Sequence, residues 1–161
     1  YPYLGILRDG VLLRYIRPDC GAYPLFYDTL NTRVALLKLL PGMDRGAADF
    51  LLERNDGLII ESFGVGGLPE SGGFYHCVDE ALAAGKTVVI TTQVENEGSD
   101  VGVYHVGHAL KNKLGVLEAY DMTTEAVAAK LMWILGQTRE RREVERLFYT
   151  PVARDILWPV E

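Results

Sequence analysis

The sequence predicts an α/β fold: a three-layer sandwich on a small, mainly parallel, doubly wound sheet of about four strands, preceded by a β-hairpin. Three observations carry this. From Thr32 onward, strand-length apolar runs alternate with helix-length segments. The runs "RVALLKLL", "GLIIESF" and "KTVVITTQ" are apolar without alternation, as strands covered on both faces are. Glycine or proline punctuates the chain after each run or after the helix that follows it.

The opening "YLGILRDGVLLRYIRP" reads as two β-type runs around Asp9-Gly10, a pair that tolerates the positive φ angles of a type I′ turn. "PDCGAYPLFYDTLN" is rich in turn formers and lacks periodicity, so residues 1–31 are expected to be a hairpin and linker arm. Residues 32–161 are expected to be the α/β domain. "RVALLKLLPG" is its first strand, stopped by Pro41-Gly42. A short helix follows, with Asp44 as its N-cap and Ala47, Phe50 and Leu51 on one face. "GLIIESFG" is the second strand, "GGFYHCVDEALAAGK" a helix closed by Gly85, and "KTVVITTQ" the third strand. "VYHVGHALKN" reads as a helix and "GVLEAY" as a fourth strand. In "TTEAVAAKLMWILGQT", Val127, Leu131, Ile134 and Leu135 recur at helical spacing, and the charged "RERREVERLFY" is the last helix. The hairpin is expected at the edge of the sheet or across one face.

A chain of 161 residues buries roughly two thirds of its unfolded surface, enough for a core without metal or disulfide. With 48% apolar and 24% charged residues it is globular. A formal charge of −6 and a pI near 5.1 argue against nucleic-acid and anionic-membrane partners, which need clustered Lys and Arg. The four arginines of "RERREVER" do not change this, because Glu140, Glu143 and Glu145 are interleaved with them. No apolar run approaches the roughly 18 residues of a membrane span. No signal peptide is recognised, and a cytoplasmic setting is expected. The two cysteines, Cys20 and Cys77, are too far apart for a metal or redox motif and read as unpaired thiols. The chain begins at Tyr1 without Met, which reads as an excised piece of a longer protein.

Ligands of doubly wound sheets bind beyond the carboxyl ends of the strands. There the sequence places "SFGVGGLPE", "TTQVENEG" and "AYDMTTE". The turn Gly64 to Gly67 lacks both dinucleotide spacing and the Lys-Ser/Thr of a P-loop. It reads as a turn letting backbone amides approach something closely. His105 and His108 have no third ligand in view, and Ser62 and Ser71 lie in no nucleophile elbow; no metal and no cofactor are expected. Thr123 is a helix cap with Glu125 in the first turn, and Asp121 adds charge at the strand mouth. "VENEGSD" gathers Glu95, Glu97 and Asp100. It is either an exposed acidic connector or a docking point for an ammonium group.

Taken together, "RVALLKLLPGMD", "DGLIIESFGVGGLPE", "AAGKTVVITTQVENEGSDVGVYHVGHAL" and "GVLEAYDMTTEAVAAKLMWILGQT" resemble the C-terminal domain of the L-asparaginase family, including cytoplasmic, type I-like members, over about Arg33 to Thr138. The asparaginase-like subunit of the archaeal tRNA-dependent amidotransferase is similar over the same region. The resemblance implies a two-domain amidohydrolase converting L-asparagine to L-aspartate and ammonia, with its threonine nucleophile on an N-terminal domain. The Thr-Gly-Gly-Thr and Gly-Thr-Asp-Thr signatures of that domain are absent here. No catalytic residue is therefore expected in this chain, and the isolated chain is expected to be inactive.

The resemblance further implies peripheral substrate contacts made to a neighbouring subunit, and hence a homodimer or homotetramer. Those contacts fall on Gly66 and Gly67 of the glycine turn and on Glu97, with Glu95 second. Many relatives carry Asn at the position of Gly67, which supplies no side-chain amide. An effector site of some relatives uses an Arg and a Cys where this chain has Glu61 and Val94, the latter after Gln93. An anion at Glu61 would repel an effector carboxylate. The other reading of the chain is a stand-alone amino-acid-binding or regulatory module.

Overall fold

The computed structural model describes residues 3–15, 23–64, 67–69, 71–94, 98–99 and 115–156. The helix expected across "VYHVGHALKN" lies outside them. Strands β1 (Gly5–Arg8) and β2 (Val11–Arg14) form an antiparallel hairpin. Its turn residues Asp9 and Gly10 both have positive φ, 50° and 77°, as a type I′ turn requires. The hairpin is a sheet of its own, not an edge of the larger one. Leu7 and Leu12 on one face, and Val11 and Leu13 on the other, stand exposed.

Strands β3 (Val34–Lys38), β4 (Gly57–Ser62), β5 (Thr87–Thr92) and β6 (Leu117–Glu118) form a parallel sheet in that spatial order. Helices α1 (Gly46–Arg54) and α2 (Phe74–Ala83) connect β3 to β4 and β4 to β5. Both lie on one face, as expected when successive crossovers march in one direction. Helices α3 (Thr124–Gln137) and α4 (Arg141–Tyr149) cover the other.

Burial explains why β4 and β5 are apolar throughout. Leu58, Ile60, Val88 and Ile90 pack with Phe74, Val78 and Leu52 under α1 and α2. Ile59 and Val89 pack with Val127, Leu131, Ile134 and Phe148 under α3 and α4. Each fully buried Ile, Leu or Val side chain contributes about 1.5–3 kcal/mol, so two-sided burial favours a run of such residues over alternation.

Two local expectations need correction. Asp44 does not cap α1: the cap position is Arg45, and Asp44 Oδ1 accepts from the Gly46 N–H one step into the turn. The inner face of α1 is Ala48 and Leu52, with Leu51 partly covered. Ala47 is exposed, and Phe50 lies outside beneath the Arg54 guanidinium at 4.1 Å. The linker is also more ordered than its composition implies. Tyr27 meets Trp133 edge-on at 5.1 Å, Thr29 is bonded to Gly136 and Gln137, and the Asn31 N–H donates to the Met132 carbonyl. Residues 27–31 therefore strap α3.

Candidate functional site

The carboxyl ends of the four strands meet at one edge. Thr92 Oγ1 donates to the Gly64 carbonyl and accepts from the Val94 N–H at 3.0 Å. Gly64 has φ +51°, and Gly67 pairs back on Phe63 in an antiparallel bridge. Ser62 Oγ is fully buried and donates to the Thr91 carbonyl at 3.0 Å. Four of the five buried polar side chains among the described residues, Ser62, Thr91, Ser99 and Glu118, belong to this edge.

Gln93 joins three strands. Its N–H donates to the Ser62 carbonyl, and Nε2 donates to the carbonyls of Leu39 at 2.8 Å and Glu61 at 3.0 Å. One amide thereby supplies a partner to the Leu39 carbonyl and a second donor to the Glu61 carbonyl, which also accepts from the Leu39 N–H at 3.0 Å. Glu61 is similarly engaged. Its carboxylate pairs with Lys38 at 3.0 Å and accepts from Thr124 Oγ1 at 3.1 Å. Thr124 opens α3, so the carboxylate sits near the positive end of that helix, where negative charge is favoured. Thr123 caps the same helix by accepting from the Ala126 N–H at 3.2 Å, and Glu125 lies in the first turn.

Beyond the third strand the chain is held again at Ser99. Its N–H donates to the Tyr120 carbonyl at 2.8 Å and its Oγ lies 3.4 Å from the same oxygen. Tyr120 follows β6 with φ +51°. Asp121, at the mouth of that strand, is half-buried.

Of the residues singled out in the sequence, Glu61, Gly67, Gln93 and Val94 lie together at this edge. Glu95, Glu97, Gly66 and Asp100 lie outside the described residues, as do His105, His108 and Cys20. His76 is on the surface of α2 beside Glu80 at 3.3 Å. Cys77 is buried, and desolvation followed by its hydrogen bond with Asp49 pushes the thiol up to about 12; it is protonated at neutral pH and a poor nucleophile. The Arg45 guanidinium holds the Asp49 carboxyl below its usual range and reaches Glu80, tying α1 to α2. Among the described residues no three His, Cys, Asp or Glu side chains are grouped to hold a metal.

Sequence reasoning missed the stapling role of Gln93, the burial of Glu118 and the clamp between Ser99 and Tyr120. Only Gly98, with φ +69°, carried a residue-type signal for the last. What this edge offers is a surface of backbone groups and of polar side chains most of which are engaged within the fold. Ser62 is committed to a carbonyl and Cys77 is buried as the thiol, so neither is an activated nucleophile.

Fold and edge thus define a class: a parallel α/β layer sandwich presenting its strand mouths without a nucleophilic centre among the described residues. The family model described as Glutaminase/Asparaginase C-terminal domain matches residues 33–148, and this chain belongs to that family. An L-asparaginase of Thermococcus kodakarensis is 35% identical over 158 residues, 97% of this chain and 48% of its own length. A glutamyl-tRNA(Gln) amidotransferase subunit from Methanopyrus kandleri is 34% identical over 156 residues, 96% of this chain and 32% of its own. The solved structure of the thermostable L-asparaginase from Thermococcus kodakarensis superposes with a TM-score of 0.89 at 33% identity, covering 99% of this chain and 48% of that one. The chain spans about half, or less, of the relatives it matches.

Proposed function

We propose that this chain is the C-terminal domain of an L-asparaginase, an enzyme hydrolysing L-asparagine to L-aspartate and ammonia in the cytoplasm, whose nucleophile belongs to an N-terminal domain outside this chain. The observation that carries the reading is the family match over residues 33–148 in a chain without either threonine signature. In this reading the domain supplies subunit interface and peripheral contacts to substrate bound by a neighbouring copy, in a homodimer or homotetramer. Glu97, with Glu95 second, faces the substrate ammonium, and the backbone of Gly66 and Gly67 borders the pocket. Residues 1–31 form the arm toward the N-terminal domain, and 32–161 the domain proper. The apolar side chains exposed on both hairpin faces support this division, since an isolated two-stranded hairpin is marginal in water. Glu61, Gln93 and Val94 serve the fold in this reading and bind no effector.

An ammonia-release assay tests it. The 161-residue chain alone is expected to release none from asparagine, and the full-length enzyme is expected to turn over. A carboxylate bonded to an ammonium contributes roughly 1.5–3 kcal/mol, so Glu97→Gln in the full-length enzyme should lower kcat/KM by about 10- to 100-fold. Turnover by the isolated chain would overturn the division of labour. Unchanged kinetics in Glu97→Gln, Glu95→Gln and their double variant would reduce the segment to an acidic connector.

The similarity to the amidotransferase polypeptide favours a second reading, a subunit acting with a partner on aminoacylated tRNA. Activity that appears only with a partner protein and charged tRNA would select it.

A further inference from the structure

Helix α3 carries a charge on its buried side. Lys130 stands with Val127, Leu131 and Ile134 on the core face and is 5% exposed. Its ammonium donates to the Thr150 carbonyl at 2.8 Å, pairs with Asp155 at 2.8 Å, and lies 5.9 Å from the centre of the Phe148 ring. All three partners come from the end of α4 and the segment behind it, residues 150–156. Thr150 closes α4, so the cation also sits at the negative end of that helix.

The segment would not take this shape unaided. Ala153 and Arg154 have φ of +52° and +63°, two successive left-handed residues of which neither is glycine. Asp155 holds them. Its Oδ1 accepts from the Val152 N–H at 2.7 Å, its Oδ2 meets Lys130, and its N–H returns to the Val152 carbonyl at 3.0 Å. Ile156 then enters the buried cluster that contains Phe148. One carboxylate is thus both the staple of a strained turn and the partner of a buried cation. Without it the Lys130 charge would stand in an apolar interior short of a partner, so closing the turn and burying the charge go together.

The end of α4 also reaches the sheet. Among the described residues β6 is an edge strand. The Ala119 N–H, just past it, donates to the Ile90 carbonyl of β5 at 2.9 Å, whereas the Glu118 N–H donates to the Tyr149 hydroxyl at 3.0 Å. Tyr149 is the last residue of α4, directly before Thr150. An uncovered amide on an edge strand is a template for pairing with another strand.

We infer that residues 150–156 are a clasp latched by Lys130, and that this clasp opens and closes as one unit with the Tyr149 cover on the edge of β6. Closed, it buries the ammonium and keeps Tyr149 on the Glu118 N–H. Open, it releases the left-handed backbone at Ala153 and Arg154, frees the last turn of α4, and gives the Glu118 N–H up to solvent or to another strand. The strained pair sets the balance, making the clasp easier to open than the buried ion pair alone would allow.

The test is hydrogen exchange on the full-length protein, read by mass spectrometry in peptides spanning residues 150–156 and β6, with peptides of β4 and β5 as the internal reference. Asp155→Asn keeps the shape of the staple and removes its charge. It is expected to speed exchange in the clasp and β6 peptides alike by about 10- to 100-fold, the size of one charged hydrogen bond, with β4 and β5 unchanged, as a local opening requires. Arg154→Gly, which takes positive φ without strain, is expected to slow both peptides by about 3- to 10-fold. Lys130→Met combined with Asp155→Asn should be no faster than Asp155→Asn alone, because the two side chains act as a pair. Unchanged clasp exchange in Asp155→Asn overturns the latch. Clasp exchange that rises while β6 stays protected overturns the unit. Equal acceleration in β4 and β5 overturns both, because the pair would then serve only the stability of the whole domain. Should Asp155→Asn not fold, Arg154→Gly reads the same equilibrium from the other side: clasp and β6 slowing together supports the unit, and no change in either overturns it.

Discussion

The two ends of the parallel sheet are tied by different chemistry. At the amino end a charged knot gathers the incoming strap, the start of β4 and the turn between the last two helices. Asp56 accepts from Asn31 Nδ2 at 2.9 Å, pairs with Arg139 at 2.8 Å and lies 3.6 Å from Arg33, while Lys86 reaches the neighbouring Asn55 carbonyl at 2.8 Å. At the carboxyl end the cross-strand ties are mostly neutral: Gln93 to the Leu39 and Glu61 carbonyls, Ser62 to Thr91, Ser99 to Tyr120. Ionic ties among partly exposed groups weaken with salt and with protonation. Neutral ties from buried amides and hydroxyls respond to neither. Under the proposed function a charged ligand comes and goes at this edge, and ties of the second kind would hold its shape through that change.

The contrast breaks first at Gln93. Gln93→Leu keeps the bulk but removes both amide contacts, leaving the Leu39 carbonyl without this donor in a half-buried space and the Glu61 carbonyl with the Leu39 N–H alone. An unsatisfied buried carbonyl costs about 1–3 kcal/mol, so this variant should destabilise the chain by about 1–3 kcal/mol in urea denaturation. The loss should be the same at pH 5 and pH 8 and in low or high salt. An unmoved urea midpoint would mean that the carboxyl end is not held through this amide.

Much of this architecture is legible in residue type alone, and the limits follow from distance along the chain. Asp9-Gly10 announces its turn because the φ requirement belongs to those two residues. Val127, Leu131, Ile134 and Leu135 announce α3 because four of them share one face. Helix α1 misleads: it has nine residues, too few for a firm period, and its largest apolar side chain, Phe50, lies outside under Arg54 while the small Ala48 faces in. Gln93 bonds a carbonyl 54 positions away, a partnership no local pattern encodes. Tyr120 is harder still, since nothing in an aromatic residue's chemistry foretells a left-handed backbone. The edge itself is legible from topology. Which carboxylate of "VENEGSD" the proposed substrate contact would use is not, because Glu95 and Glu97 stand two apart with the same chemistry.

At the amino end the expected effect is smaller and carries a pH signature. The Asn31 amide, then Arg139, Arg33 and Lys86, hold the Asp56 carboxyl below the usual carboxylate range. A carboxyl whose folded value is depressed adds stability that is fully present above its unfolded value, about 3.9, and is lost as pH falls through the folded one. Asp56→Asn should therefore cost about 1–2 kcal/mol at pH 7. The gap to the parent chain should stay constant down to about pH 5, narrow below that, and close once Asp56 is itself protonated. A gap that persists at pH 2, or widens on acidification, would show that packing rather than charge makes Asp56 important.

The smallest effect is expected where charge does appear at the carboxyl end. Lys38 pairs with Glu61 at 3.0 Å, but its side chain is 58% exposed while that of Glu61 is 15% exposed. Glu61 keeps the Thr124 hydroxyl and the positive end of α3 when the lysine is removed. Exposed ion pairs contribute about 0–1 kcal/mol, so Lys38→Met should destabilise the chain by no more than about 0.5 kcal/mol in low salt, and by nothing measurable in about 0.5 M salt. Side by side in the same urea titrations, Lys38→Met should thus be salt-sensitive and slight where Gln93→Leu is salt-insensitive and large. If Lys38→Met instead matches Gln93→Leu, the ion pair is a principal tie of this edge, and the two ends of the sheet are built alike.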